Sequence, residues 1–217
     1  MMLSSSKQIA LLLTVLSNTI LSATCLNIVI AGGTGKIGQA VSSSLPASKH
    51  SITILARNTF LASAPSRVSS DFGWIGKSFL NAHPHVKLRD WDGGDLLDIV
   101  GCDWVGWQDD TIPKADVIIN LVGGYTEQRV MATERLVRAS LEDNIDALHI
   151  CVSPLDDEVQ TYSPGCVSDK IRRLKLCEDM VKQNCLNHAC LRVEFYDLDN
   201  TCSKIIDAIE NNSKSVN

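Results

Sequence analysis

The strongest chemical signal in this chain is a string of glycines broken only by small, basic or aliphatic residues, Gly32-Gly33-Thr34-Gly35-Lys36-Ile37-Gly38. It directly follows the apolar run Leu26-Asn27-Ile28-Val29-Ile30-Ala31 and leads into a stretch of helical character. In that setting the glycines let the backbone turn tightly, let a pyrophosphate come close, and let the helix pack on the strand. The opening helix then offers unpaired N–H groups and the positive end of its dipole to the phosphates. The chemistry implied is the holding of a dinucleotide.

Which dinucleotide is read at the end of the second strand, where an acidic residue would accept hydrogen bonds from the ribose hydroxyls of NAD. Here the chain has Arg57 and Asn58 instead. A guanidinium can grip a 2′-phosphate through two parallel hydrogen bonds, so NADP is favoured over NAD.

The other candidate groups are weaker. His83-Pro84-His85 offers two imidazoles without an obvious third ligand and reads as a loop rather than a metal site. Trp104 and Trp107, with Asp109 and Asp110 close behind, read as packing residues rather than the floor of a substrate pocket. None of the eight cysteines forms a Cys-x-x-Cys pair, and several, such as Cys151 and Cys190, sit in apolar runs where a thiol behaves as a small hydrophobe. No metal is expected.

The elements that must position the glycine string follow from hydrophobic periodicity. Residues 26–31 predict a buried strand, 37–45 a helix stopped by Pro46, and 51–57 a second strand that closes a βαβ unit. Residues 58–115 are poorly patterned, with a short helix expected around 72–80 and a strand at 86–89. After them the pattern predicts a central strand over 115–123, a helix over 127–143, a strand over 147–152, a helix over 168–183, a strand over 188–193 and a last helix over 203–210. Such alternation predicts an α/β fold, a doubly wound parallel sheet with helices on both faces, spanning residues 26–211 as one domain.

With 217 residues, 45% of them hydrophobic, the chain can bury one good core. The formal net charge of −5 leaves no basic surplus for a phosphate backbone, so no nucleic-acid partner is expected. Residues 1–24 read as a targeting peptide: Lys7 precedes an apolar run from Ile9 to Leu16, followed by small residues. The run is too short for a stable membrane span. A secretory signal and an organelle transit peptide, such as one for a plastid, fit it equally. A retained N-terminal helix, in a cytoplasmic protein, is the alternative.

Taken together, Ala31 to Gly38, then Leu55-Ala56-Arg57-Asn58, Trp91-Asp92-Gly93, and Asp116 through Gly123 resemble the extended or atypical short-chain dehydrogenase/reductases, in particular their sugar-nucleotide epimerase-like group. The resemblance covers roughly residues 26 to 195. It implies that Gly32, Gly33, Thr34, Gly35, Lys36, Ile37 and Gly38 form the pyrophosphate turn, and that Arg57 and Asn58 hold the adenosine ribose with its phosphate. It also implies that Asp92 or Asp90 lies near adenine, and that Leu121, Val122 and Gly123 line the nicotinamide-side ribose through their backbone.

The chain departs from the family where chemistry is done. The usual Tyr followed four residues later by Lys is missing: Tyr125 is followed at that spacing by Arg129, Tyr162 by Cys166 and Tyr196 by Asn200. Ser153 stands just after a strand, where such proteins often place a catalytic Ser. Alone it cannot supply the proton that a hydride transfer needs. Tyr162 and Lys170 read as surface residues of a loop containing Pro164 and Gly165. Two functions remain open from the residues: an NADP-dependent oxidoreductase or epimerase-like enzyme with a non-standard proton relay, or a non-catalytic NADP-binding redox sensor or scaffold that reports through a protein partner.

Overall fold

A computed structural model describes residues 25–68, 73–91, 106–123, 125–162 and 166–215. The expected targeting segment, residues 1–24, lies outside them, as do Asp92 and Trp104. The elements are β1 (Leu26–Ala31), α1 (Lys36–Ser44), β2 (His50–Ala56), α2 (Thr59–Ala62), α3 (Lys77–Ala82), β3 (Val86–Asp90), α4 (Trp107–Asp110) with a 3-10 turn at Ile112–Lys114, β4 (Val117–Asn120), α5 (Glu127–Asp143), β5 (Leu148–Pro154), α6 (Asp156–Tyr162), α7 (Val167–Asn184), β6 (Asn187–Val193) and α8 (Leu198–Ser215).

The six strands form one sheet in the order β3-β2-β1-β4-β5-β6, and every neighbouring pair is parallel. This is the Rossmann-type, doubly wound architecture expected from the alternation of periods. The register is set by the apolar strands: Ile28 lies beside Ile52 of β2 and Val117 of β4. Successive residues of β1 feed opposite layers. Ile28 and Ile30 join a core with Val41 of α1 and Ile205 and Ile209 of α8, while Val29 and Ala31 join Trp107, Ala132 and Leu136 on the other face. Burial on both faces is why this strand is apolar throughout rather than alternating. Strand order reverses between β1 and β4, and that reversal opens a crevice at the C-terminal ends of these strands, above the glycine string.

Several elements differ from the sequence reading. The short helix expected at 72–80 begins only at Lys77, because Gly73 and Gly76 take φ of +75° and +83°, values outside any helix. Its expected first residue, Phe72, lies outside the described residues. Residues 156–162, given no element in the sequence reading apart from Tyr162 in a loop, form α6, whose first turn carries Asp156, Asp157 and Glu158 at the positive end of the helix dipole. The central strand is shorter than 115–123. Ala115 closes a turn onto Ile112, and past the strand's end the Asn120 side chain turns back to accept the Val122 N–H at 3.1 Å. The last helix begins five residues early at Leu198, where the Asp197 carboxylate caps the Asn200 N–H at 3.0 Å.

The poorly patterned stretch is held by aromatic packing. Trp107 is fully buried and meets Trp91 edge-to-face, ring centroids 5.5 Å apart, so it serves the core as expected. Cys151, Cys177, Cys185 and Cys202 are buried. Burial pushes the Cys151 thiol up to about 12, which makes it a packing group rather than a nucleophile.

Candidate functional site

The glycines of the turn do different jobs. Gly32 has φ +76°, and a Cβ there would stand 2.6 Å from the Leu121 carbonyl oxygen at the end of β4. At Gly38 a Cβ would fall 2.3 Å from the Gly33 Cα, so helix and turn touch backbone to backbone. Both positions are demanded by the fold. Gly35 is not: its φ is −76°, and the nearest atom to an added Cβ is the Gly32 carbonyl oxygen at 3.5 Å. It is exposed. A glycine that the protein itself does not need, at the N-cap of α1, keeps that space clear for something else.

The end of α1 is prepared for an anion. Among the described residues no side chain caps this helix start at Gly35, and the first turn carries no acidic residue. Its N–H groups and dipole are therefore available. Two grooves meet above it. One, of about 360 Å³, is lined by Gly32, Thr34, Gly35, Leu55, Ala56, Arg57, Gly73, Trp91, Leu121, Val122, Gly123, Thr126 and Gln128. The other, of about 310 Å³, shares Gly32, Gly35 and Leu121 and adds Lys36, Ile37, Gly38, Phe195, Tyr196 and Leu198. A two-part cleft hinged on the glycine turn suits a ligand with two halves joined by a diphosphate.

At the β2 end, exposed Arg57 lines the first groove. Asn58 is placed differently: its side-chain oxygen accepts the Leu61 N–H at 2.9 Å and caps α2, and it does not line the groove. Asp90 accepts the Thr59 N–H at 2.8 Å and the Thr59 hydroxyl at 3.0 Å, which holds the start of α2 against β3. Gly33 is buried beneath the turn against Ile30 and Ile54 rather than in either groove.

One wall of the first groove escaped the sequence reading. The Gln39 amide of α1 donates to the Thr34 carbonyl at 2.9 Å and to the Trp74 carbonyl at 3.1 Å, and the Trp74 indole N–H donates to the Ala64 carbonyl at 2.8 Å. These bonds fold the segment after β2 back so that Gly73 comes to lie beside Thr34. No periodicity marks such a segment. The one hint was a glycine pair, Gly73 and Gly76, flanking a tryptophan.

At the other end, the strand termini are tied together by Arg129 from the first turn of α5. Its guanidinium is 1% exposed and donates to the Val122 carbonyl, to the Val152 carbonyl at 2.9 Å and to the Ser153 hydroxyl at 3.1 Å. Ser153 lies within β5, not after it, is fully buried, and accepts this bond. Expected at a reachable catalytic position, it instead belongs to the site's foundations. Asn120 completes the support, donating to the Thr133 hydroxyl at 2.9 Å, which in turn donates to the Arg129 carbonyl at 2.8 Å.

Three further candidates find their places. Half-buried Tyr125 lies under the Lys170 ammonium, 5.7 Å from its ring centre. Burial first, and Glu158 second, raise its phenol above the ordinary value, the opposite of an acidified proton donor. Tyr162 closes α6, its side chain outside the described residues. His83 and His85 meet edge-on, ring centroids 6.0 Å apart, but each is held by its own carbonyl: the first by that of Phe79 at 2.9 Å, with its ring stacked on the Phe79 ring, the second by that of Ser42 at 3.3 Å.

No family model matches the chain, and no curated protein matches it in sequence. Solved structures do match in shape. The enzyme WbmF of Bordetella bronchiseptica, in complex with NAD+ and UDP, aligns at TM-score 0.50 and 12% identity, covering 79% of this chain and 50% of its own. The UDP-Glc/GlcNAc 4-epimerase of Campylobacter jejuni aligns at 0.50 and 19%, covering 77% and 53%. Vestitone reductase from alfalfa (Medicago sativa) aligns at 0.52 and 15%, covering 77% and 56%. The chain shares the Rossmann-type fold of these enzymes. It spans about half the length of WbmF and of the 4-epimerase.

Proposed function

We propose that this short-chain dehydrogenase/reductase-like protein binds NADP(H) in the two-part cleft, and that its chemistry is of the oxidoreductase or epimerase-like class. The observation that carries the reading is Gly35: an exposed, uncapped helix start where a side chain would fit the protein but not a diphosphate. Gly32, Thr34, Gly35, Lys36, Ile37 and Gly38 hold the pyrophosphate, Gly33 lets the turn pack on the sheet, and Arg57 pairs with the 2′-phosphate. Leu121, Val122 and Gly123 face the second ribose. The dinucleotide, when bound, supplies a hydride donor or acceptor at its nicotinamide.

The chain's own residues contribute orientation and shielding more visibly than proton transfer. Leu55, Ala56 and Trp91 give the adenosine end apolar walls, and Phe195 and Leu198 do so at the other. Calorimetric titration with NADPH tests the reading, and the absence of binding by the folded protein overturns it. A second reading, a cofactor-binding sensor without turnover, is favoured by the burial of Ser153 under Arg129. A panel of aldehydes, ketones and nucleotide sugars that leaves bound NADPH unoxidised selects it. Residues 1–24 we assign to a targeting peptide, and the mass of the mature protein from its own cells tests that assignment.

A further inference from the structure

The groove wall at Gly73 is tied to the glycine turn through the Gln39 amide, which donates to the Thr34 carbonyl in the turn and to the Trp74 carbonyl in the wall. A primary amide suits such a clasp because it carries two donors on one nitrogen. On its other side the wall is anchored to the segment that follows Arg57. The Ile75 and Gly76 N–H groups both donate to the Ala62 carbonyl at 3.0 Å, the Trp74 indole donates to the Ala64 carbonyl at 2.8 Å, and the Ile75 side chain is buried in the core. Ala62 ends α2, the helix that Asn58 caps directly after Arg57. Hydrogen bonds thus run from the Arg57 segment through the wall, and Gln39 supplies the link from the wall to the turn.

Gly73 lets the wall come close. Its φ is +75°, and a Cβ there would collide with the Thr34 hydroxyl, so the threonine packs on a bare Cα. Thr34, Arg57 and Gly73 line the first groove, and none of them lines the second. A hydroxyl, a guanidinium and an open peptide therefore share the groove in which the NADP(H) reading puts the 2′-phosphate. Gln39 itself lines neither groove. Any effect it has on a ligand runs through the wall.

We propose, resting on the NADP(H) reading above, that Gln39 is a positioning residue for the 2′-phosphate: by holding Gly73 against Thr34 it keeps the wall of the Arg57 groove closed, and so sharpens the choice of NADP(H) over NAD(H). A ligand that needs the wall in place loses affinity by the fraction of molecules in which it stands away from the turn. An ordinary hydrogen bond contributes a factor of about 2–12 to such an equilibrium, which bounds the loss expected when the clasp is removed. A ligand without the 2′-phosphate does not need the wall and feels little of this.

The test is calorimetry on the full chain with two probes that differ by one phosphate, 2′-phospho-ADP-ribose and ADP-ribose. The parent protein is expected to bind the first about 10- to 100-fold more tightly, through charge-assisted bonds to the added phosphate. In Gln39→Met, similar in length but without donors, that preference is expected to fall by about 3- to 10-fold while ADP-ribose affinity changes by less than about threefold. Gly73→Ala, which keeps the amide but sets a Cβ against Thr34, is expected to act in the same direction. A preference unchanged in Gln39→Met, or a loss shared equally by both probes, overturns the inference, since a residue that only props the turn would weaken every diphosphate alike. If neither variant folds, hydrogen exchange in the parent decides: the Ile75 and Gly76 amides are expected to exchange more slowly with saturating 2′-phospho-ADP-ribose than with saturating ADP-ribose, and equal rates overturn the inference. A folded parent that binds neither probe overturns the NADP(H) reading instead, and one that binds both equally overturns its choice of NADP, so the failures are told apart.

Discussion

Replacing Gly35 by Asp is expected to make the protein more stable while abolishing its grip on a dinucleotide. The position has φ −76° and ψ 173°, which any residue adopts, and an added Cβ meets only the Gly32 carbonyl oxygen at 3.5 Å. Three small gains follow. Asp caps a helix better than Gly by a few tenths of a kcal/mol. A carboxylate at the N-terminus gains about 0.3–1 kcal/mol from the helix dipole. Loss of glycine's freedom in the unfolded chain adds about 0.4–1 kcal/mol. Their sum is about 1–2 kcal/mol, which for a chain of this size raises Tm by roughly 2–8 °C. The same carboxylate occupies the mouth of the phosphate turn. Like charges in contact there, at effective dielectrics between those of water and the protein surface, cost about 1–4 kcal/mol per pair, so affinity falls by about 100-fold or more. Differential scanning calorimetry and NADPH titration on one preparation measure both. Unchanged affinity, or a Tm lowered by more than about 4 °C, refutes the assignment of Gly35 to the ligand. Gly38→Ala is the contrasting control: its Cβ would fall 2.3 Å from the Gly33 Cα, so its stability drops before any ligand is added.

Arg57→Ala is expected to weaken NADPH binding by about 10- to 100-fold and NADH binding by less than threefold, because charge-assisted bonds of roughly 1.5–3 kcal/mol to the 2′-phosphate are lost; an equal loss for both cofactors argues against the assignment of Arg57. His149 is held neutral by burial, with His188 adding to the effect, and its imidazole is pushed from 6.5 down to about 4. The unfolded chain takes up that proton first, so stability is full above about pH 6.5 and declines toward pH 4 by as much as roughly 3 kcal/mol. Urea midpoints at pH 7 and pH 4.5 should therefore diverge less in His149→Leu than in the parent. Asn144→Ala leaves the Ile112 and Ala115 carbonyls, held at 2.9 and 2.6 Å, without their donor, and is expected to cost about 1–3 kcal/mol in chemical denaturation.

Much of the fold was legible along the chain because its signals are local. A parallel strand buried on both faces must be apolar throughout, so β1 is readable from residues 26–31 alone. α5 begins and ends where the amphipathic period does, at Glu127 and Asp143. The glycine turn was legible from its own string and its place between strand and helix, although Gly32 answers to the Leu121 carbonyl at the end of β4 and Gly33 to Ile54 of β2.

What only the tertiary structure decided involves partners distant in sequence. The groove wall at Gly73 exists because a Gln39 amide on α1 reaches the Trp74 carbonyl 35 residues away. Ser153, read as standing just after a strand where the family often has a catalytic Ser, lies within the strand with a guanidinium from 24 residues earlier buried against it. Residue types and spacing determine which groups can meet a phosphate. Whether a hydroxyl faces substrate or is locked beneath it depends on how α5 packs over β4 and β5, and that is settled by burial of the whole sheet face rather than by any local pattern.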